Sequence, residues 1–176
     1  MADAPKTNAA RLLEARGIEH RVRVYDPERA FHSANEAAAL LGVPGASVLK
    51  TLVVLRERAG RAKPLLVLVP SGRQVDLKRL GHALGEKRLR MATQREAEGL
   101  TGLKVGGISA LAVRAGAFEV LVDASAAGWE RVHVSAGVRG VDLELAPADL
   151  LAVTGGRLVD ASRDSATGMD EEGAQR

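Results

Sequence analysis

Cysteine is absent from the 176 residues, which removes disulfides, thiolate metal sites and a cysteine nucleophile together and fits a reducing cytoplasm. Aromatic residues are almost absent: Tyr25, Phe31, Phe118 and Trp129 are the whole set. Four rings build no platform for stacking successive bases, so single strands are not bound in that manner, whereas contacts to a folded RNA backbone stay open. Long apolar runs are missing too. None approaches the roughly 18 residues of a membrane span, and the N-terminal MADAPKTNAARLLEARG carries charges where an export signal needs an apolar centre. The four histidines, His20, His32, His82 and His133, have no short ligand spacing, so no metal and no cofactor is expected. A soluble cytoplasmic protein follows.

What is present is enough apolar material for one core. At 46% hydrophobic residues and this length, the chain supports a single domain. Helical and strand patterns interleave. TNAARLLEARG opens on cap-type Thr7 and Asn8, SANEAAALLG carries a capping box in Ser33 and Glu36, and TQREAEGL another in Thr93 and Glu96. DLKRLGHALG is entered at Asp76, and PADLLAVTGG starts on Pro147 in its first turn. Between these lie EHRVRVY, VLKTLVVLR, PLLVLVP, AFEVLVD, ERVHVS and VDLELA as strands. The pattern predicts a mixed α/β domain over residues 1–162 and a polar, disordered tail over 163–176.

Charge is uneven along the chain. The segment from Arg73 to Arg90 holds Arg73, Lys78, Arg79, Lys87, Arg88 and Arg90 against only Asp76 and Glu86. Such an excess can meet RNA phosphates or form a solvated helix face.

Four places break the apolar pattern. Lys50 interrupts VLKTLVVL, and it either carries its charge to the sheet edge or points into a cleft as a donor to a carbonyl or phosphate oxygen. Asp123 ends EVLVD, as a cap or as a site residue. Tyr25 closes the first strand at the core rim. In KVGGISALAV, Gly106 and Gly107 bare the backbone beside Ser109; the stretch is a β-bulge or hairpin, or a loop whose amides donate to an oxyanion.

The order KTLVV, SGRQVDLKRLGHALG, VGGIS, VLVDASA and VSAGVRGVDLELAPADLL resembles the YbaK family of free-standing aminoacyl-tRNA deacylases, related to the editing domain of bacterial prolyl-tRNA synthetases. The resemblance spans about residues 12–159. It implies a mixed, partly barrel-like sheet surrounded by helices, and hydrolysis of mischarged aminoacyl-tRNA, cysteinyl-tRNA(Pro) first and alanyl-tRNA(Pro) next. It implies aminoacyl-tRNA as partner, with prolyl-tRNA synthetase as a further one, and neither DNA nor membrane. By position, Lys50 resembles the family's active-site lysine, Gly106, Gly107 and Ser109 its catalytic loop, and Tyr25 and Asp123 its substrate pocket. The family's loop reads Gly-Gly-x-Ser-Pro-x-Gly, whereas this chain has Ala110 and Ala112 at the proline and last glycine. If that glycine needs a positive φ, alanine there costs about 1 to 2 kcal/mol. The altered loop leaves two rivals: a non-catalytic tRNA- or synthetase-binding module, and a hydrolase of another small acyl ester.

Overall fold

Local capping decides where the helices begin. In the computed structural model, which describes residues 5–29, 34–57, 60 and 62–165, α1 (Asn8–Ala15) starts where the Thr7 side chain accepts from Ala10 N. α3 (Leu77–Leu84) starts where Asp76 accepts from Lys78 N and Arg79 N. α4 (Gln94–Thr101) carries the reciprocal Thr93–Glu96 box, and α5 (Pro147–Thr154) has its proline in the first turn. α2 spans Ala34–Leu41; the Ser33 half of its expected box lies outside the described residues.

The strands are β1 (His20–Val24), β2 (Val48–Arg56), β3 (Leu65–Pro70), β4 (Arg73–Val75), β5 (Leu89–Met91), β6 (Glu119–Asp123), β7 (Val132–Ser135), β8 (Val141–Leu145), β9 (Arg157–Val159) and β10 (Ser162–Asp164). Eight of them form one mixed sheet in the order β1-β8-β7-β2-β3-β6-β9, with β5 on β2. β10 pairs antiparallel with β4. This corrects the expected start of the disordered tail: Arg163 and Asp164 lie in a strand, and Arg73 pairs with Asp164 at 3.1 Å. Residues 166–176 lie outside the described residues.

The sheet has two differently covered faces. On one, Leu49, Val53, Leu66, Leu68, Val120, Val122, Val132, Val134, Leu143 and Leu145 pack with Leu13 of α1, Ala97 of α4 and Leu150 of α5. On the other, Val54, Leu65, Val67, Val69 and Leu121 meet Leu80 of α3. This second face turns polar toward β7, β8 and β1. There Ser135 and Arg23 flank Asp142, and His133 and Arg21 flank Glu144. Arg23 donates to Glu144 Oε2 at 3.0 Å and to Leu41 O, at the end of α2, at 3.1 Å. At the far end of β2, the mostly buried Arg56 bonds Glu86 Oε1 at 2.8 Å and also pairs with Glu119, tying three elements together. Among the described residues, no helix is long and apolar enough to cross a membrane.

Candidate active site

A cavity of about 430 Å³ opens on the polar part of this second face, and its polar lining is Tyr25, Lys50, Thr51, Ser71, Ser135, Arg139 and Asp142. Val48, Leu49, Leu52, Ile108 and the small side chains of Ala34 and Ala37 complete it. It exists because β2 loses its neighbour. The ladder from β2 to β7 ends at Leu49↔Val134, and the ladder from β2 to β5 begins at Val54↔Met91. Ser71 N donates to Val48 O at 2.8 Å on the β3 side, and Ala92 N to Val53 O at 2.9 Å on the other. Alternation along the strand therefore turns the N–H and C=O of Thr51 away from β3, into the gap. The Thr51 hydroxyl is also buried without a hydrogen-bond partner.

Lys50 reaches the cavity from the same stretch. Its Nζ donates to Ser71 O at 3.3 Å, and no described carboxylate pairs with it. Half-burial therefore lowers its pKa below the ordinary lysine value. Ser71 is fixed in turn, its Oγ 2.7 Å from Asn35 Oδ1 and 2.8 Å from Gly45 O. From β8 comes Asp142, only 4% exposed, with no hydrogen bond from a described residue to its carboxylate. Burial pushes its pKa up to about 6. Tyr25 N donates to Gly140 O at 2.9 Å. Its phenol is pushed up to about 12 by burial and by the charge of Asp142, so it remains a hydrogen-bond donor.

The glycine loop enters only in part. Gly106, at φ +90°, lines the cavity, and its N–H meets no acceptor among the described residues. The Gly107 amide is already given to Lys104 O at 2.8 Å. Gly107 is closely packed: a Cβ there would lie 3.1 Å from Arg139 N and 3.2 Å from Val138 C, so that backbone would have to give by a few tenths of an ångström. Ser109 is fully buried, and its Oγ accepts from Leu111 N at 3.1 Å; it does not line the cavity. Gly107 and Ser109, expected to act on substrate, do not line this cavity: the Gly107 N–H and one lone pair of Ser109 Oγ are used in folding the loop. Ala112 has no positive φ, so the alanine carries no strain.

Asp123, expected in the substrate pocket, does not line this cavity. Its Oδ1 takes Ser125 Oγ at 2.5 Å and Ser125 N at 3.1 Å, while Oδ2 takes Ala161 N at 3.3 Å. Burial alone would raise its pKa; these bonds and one from Ser162 outweigh that and hold it low. It caps a 3₁₀ turn over Ala124–Gly128.

The basic segment divides. Arg73 bonds Ser162 and Asp164, Arg79 bonds Asp76, Asp160 and Ser162 O, and Arg90 holds Glu96 through two 2.8 Å bonds. Lys78, Lys87 and Arg88 have no ion pair among the described residues, and with His82 they line a second, wider cleft of about 760 Å³. That cleft is the larger but lacks convergent buried polar groups, so the smaller cavity is the candidate active site.

The sequence reading missed Asp142, Ser135, Thr51, Ser71 and Arg139. In VDLEL, Asp142 alternates with apolar residues as a solvent-facing residue would, and only the polar residues at matching positions of HRVRV and VHVS hinted at a shared polar face. One cavity thus holds a carboxylate, a phenol, a lysine and an amide without an acceptor among the described residues. A ligand with an ammonium group next to a carbonyl would find a partner for each.

The sequence matches the model of the aminoacyl-tRNA editing domain over residues 28–153. It is 30% identical over 155 residues to the Enterococcus faecalis protein named "Putative Cys-tRNA(Pro)/Cys-tRNA(Cys) deacylase EbsC", covering 88% of this chain and 92% of that one. A stretch of 80 residues is 32% identical to a proline–tRNA ligase of Nitratidesulfovibrio vulgaris, 46% of this chain but 13% of the ligase. The fold is similar to the crystal structure of "a putative trans-editing enzyme for prolyl tRNA synthetase", with a TM-score of 0.75, 26% identity, and coverage of 90% of this chain and 99% of that one.

Proposed function

This chain belongs to the aminoacyl-tRNA editing domain family, and from that premise we propose that it hydrolyses mischarged aminoacyl-tRNA in trans, with cysteinyl-tRNA(Pro) as substrate. The observation that carries the reading is that one small cavity is lined by the buried Asp142, by Lys50 and by Gly106, whose N–H meets no acceptor among the described residues. Asp142 and Tyr25 take the α-ammonium group. Lys50 and Gly106 take the carbonyl oxygen and its developing negative charge, where a single donor is worth about 3 to 4 kcal/mol of barrier. Water, or the thiol of a cysteinyl substrate, adds to the carbonyl carbon; the ester C–O bond then breaks and the ribose oxygen leaves with a proton. Ser71 and Ser135 line the cavity, but neither touches a histidine among the described residues, which supports a route without a protein nucleophile. Small lining residues such as Ala34 and Ala37 suit a short side chain. A synthetase separates such side chains by only about 1 to 3 kcal/mol per methylene, so a second site is needed to remove errors. Prolyl-tRNA synthetase is the proposed further partner, on the support of the ligase similarity.

Single-turnover hydrolysis of cysteinyl- and alanyl-tRNA(Pro), with prolyl-tRNA(Pro) as control, tests the reading in the parent and in Lys50→Ala. The expected result is loss of cysteinyl ester that slows at least 100-fold in the variant. Binding of tRNA without hydrolysis of either mischarged ester would favour the non-catalytic module instead.

A further inference from the structure

We infer that Arg139 grips the phosphate of the substrate's 3′-terminal nucleotide, an inference that rests on the deacylase reading above. The aminoacyl group fills the cavity, so the ribose that carries it sits at the mouth and the first phosphate lies just outside. Arg139 lines the cavity yet is itself exposed. Its Nε donates to Val105 O at 2.8 Å, which fixes the plane of the guanidinium and leaves both terminal nitrogens without a carboxylate partner among the described residues. A planar fork held at one corner suits two phosphate oxygens. Lys50, the other cation of the cavity, is turned inward to Ser71 O and is not placed for this role.

The loop explains how the arginine is aimed. Its side chain crosses the bare backbone of Gly106, where a Cβ would stand 3.2 Å from Nε and 3.5 Å from Cγ. A Cβ at 106 would make the arginine give by a few tenths of an ångström, besides being strained at φ +90°. Val105 and Val138, 38% and 46% exposed, leave an apolar margin beside it for the terminal nucleoside.

The test uses the full chain, Arg139→Gln and Arg139→Lys, with two esters of one amino acid: the aminoacyl-tRNA, and the 3′-aminoacyl ester of adenosine, which has no phosphate. Arg139→Gln is expected to lower kcat/KM on the tRNA about 10- to 100-fold, mainly through KM, because a hydrogen-bonded charge is lost. Its loss on the nucleoside ester should be several times smaller. The slope of log kcat/KM against log salt should fall by about 0.7 on the tRNA, and Arg139→Lys should recover part of the loss. Equal losses on both esters, or none on the tRNA, would overturn the inference while the deacylase reading stands. Failure of the parent to hydrolyse either ester would remove both.

Discussion

Burial holds the Asp142 carboxyl at about 6, against an ordinary 3.8, and that shift has consequences for both rate and stability. A folded-state pKa above the unfolded one means that the native state binds the proton more tightly. The contribution is therefore fully present below pH 3.8 and is lost as pH rises through about 6. At pH 7 the ionised form costs on the order of 3 kcal/mol. Asp142→Asn should then melt higher than the parent at pH 7 and differ little at pH 3.5, a comparison that calorimetry at two pH values makes directly. The same variant should lose most deacylation, since the ionised carboxylate is what takes the ammonium group. In the parent the rate should rise through about pH 6 with Asp142 and fall, in the alkaline limb, below the usual lysine range with Lys50. An acidic limb that persisted in Asp142→Asn would place it on another group. Asp123 makes the contrast. With donors from Ser125, Ala161 and Ser162 on a buried carboxylate, Asp123→Ala should cost about 2 to 4 kcal/mol in urea unfolding while leaving the kcat of the folded fraction close to the parent's.

Two loops, residues 104–113 and 136–140, are closed on each other by glycine, and this contact answers why the chain bares its backbone there. Gly137 stands at φ +95°, and a Cβ added to it would lie 2.8 Å from the Cβ of Ala112. Gly137→Ala therefore meets both a steric and a conformational penalty, together about 2 to 4 kcal/mol. Ala112→Gly in the same chain should return the steric part alone. Denaturant midpoints of the two single variants and the double variant check this, and additive losses would refute the contact. The loop geometry also marks the limit of what the sequence could tell. Cap residues, Pro147 and glycine stops located the five α-helices found among the described residues, and runs such as VLKTLVVLR and PLLVLVP located the central strands. Strands of three residues, β4, β5, β9 and β10, are too short to display a period of two; β5 and β9 form on the edges that β2 and β6 offer, and β4 and β10 form only by pairing with each other across the chain. Lys50 and Tyr25 were legible because each interrupts or closes an apolar run. Asp142 was not, because alternation in VDLEL looks the same whether the polar face meets water or a cavity under α2.

Across the whole molecule, ion pairing sorts the basic residues into those that hold the fold and those left to meet a partner. Arg73, Arg79 and Arg90 spend their guanidinium groups on Asp164, Asp76, Asp160 and Glu96, and Glu96 is held down to about 2, first by Arg90 and then by the Thr93 amide. Lys78, Lys87 and Arg88 share one cleft on the α3 side of the sheet, and Leu52 lines the cavity and also packs against the α3 cluster. An RNA strand whose end enters the cavity would have this basic cleft on the same sheet face, beyond Leu52. Counterion release then separates the two groups of cations. Replacing Lys78, Lys87 and Arg88 together by glutamine should weaken tRNA binding about 10-fold or more at moderate salt and lower the salt slope by about 2, with little change in thermal stability. Arg79→Gln and Arg90→Gln should leave the salt slope alone and move the melting temperature only slightly, because exposed pairs are screened by solvent. If the triple glutamine variant bound tRNA with the parent's affinity and salt slope, the cleft would be no part of the RNA path.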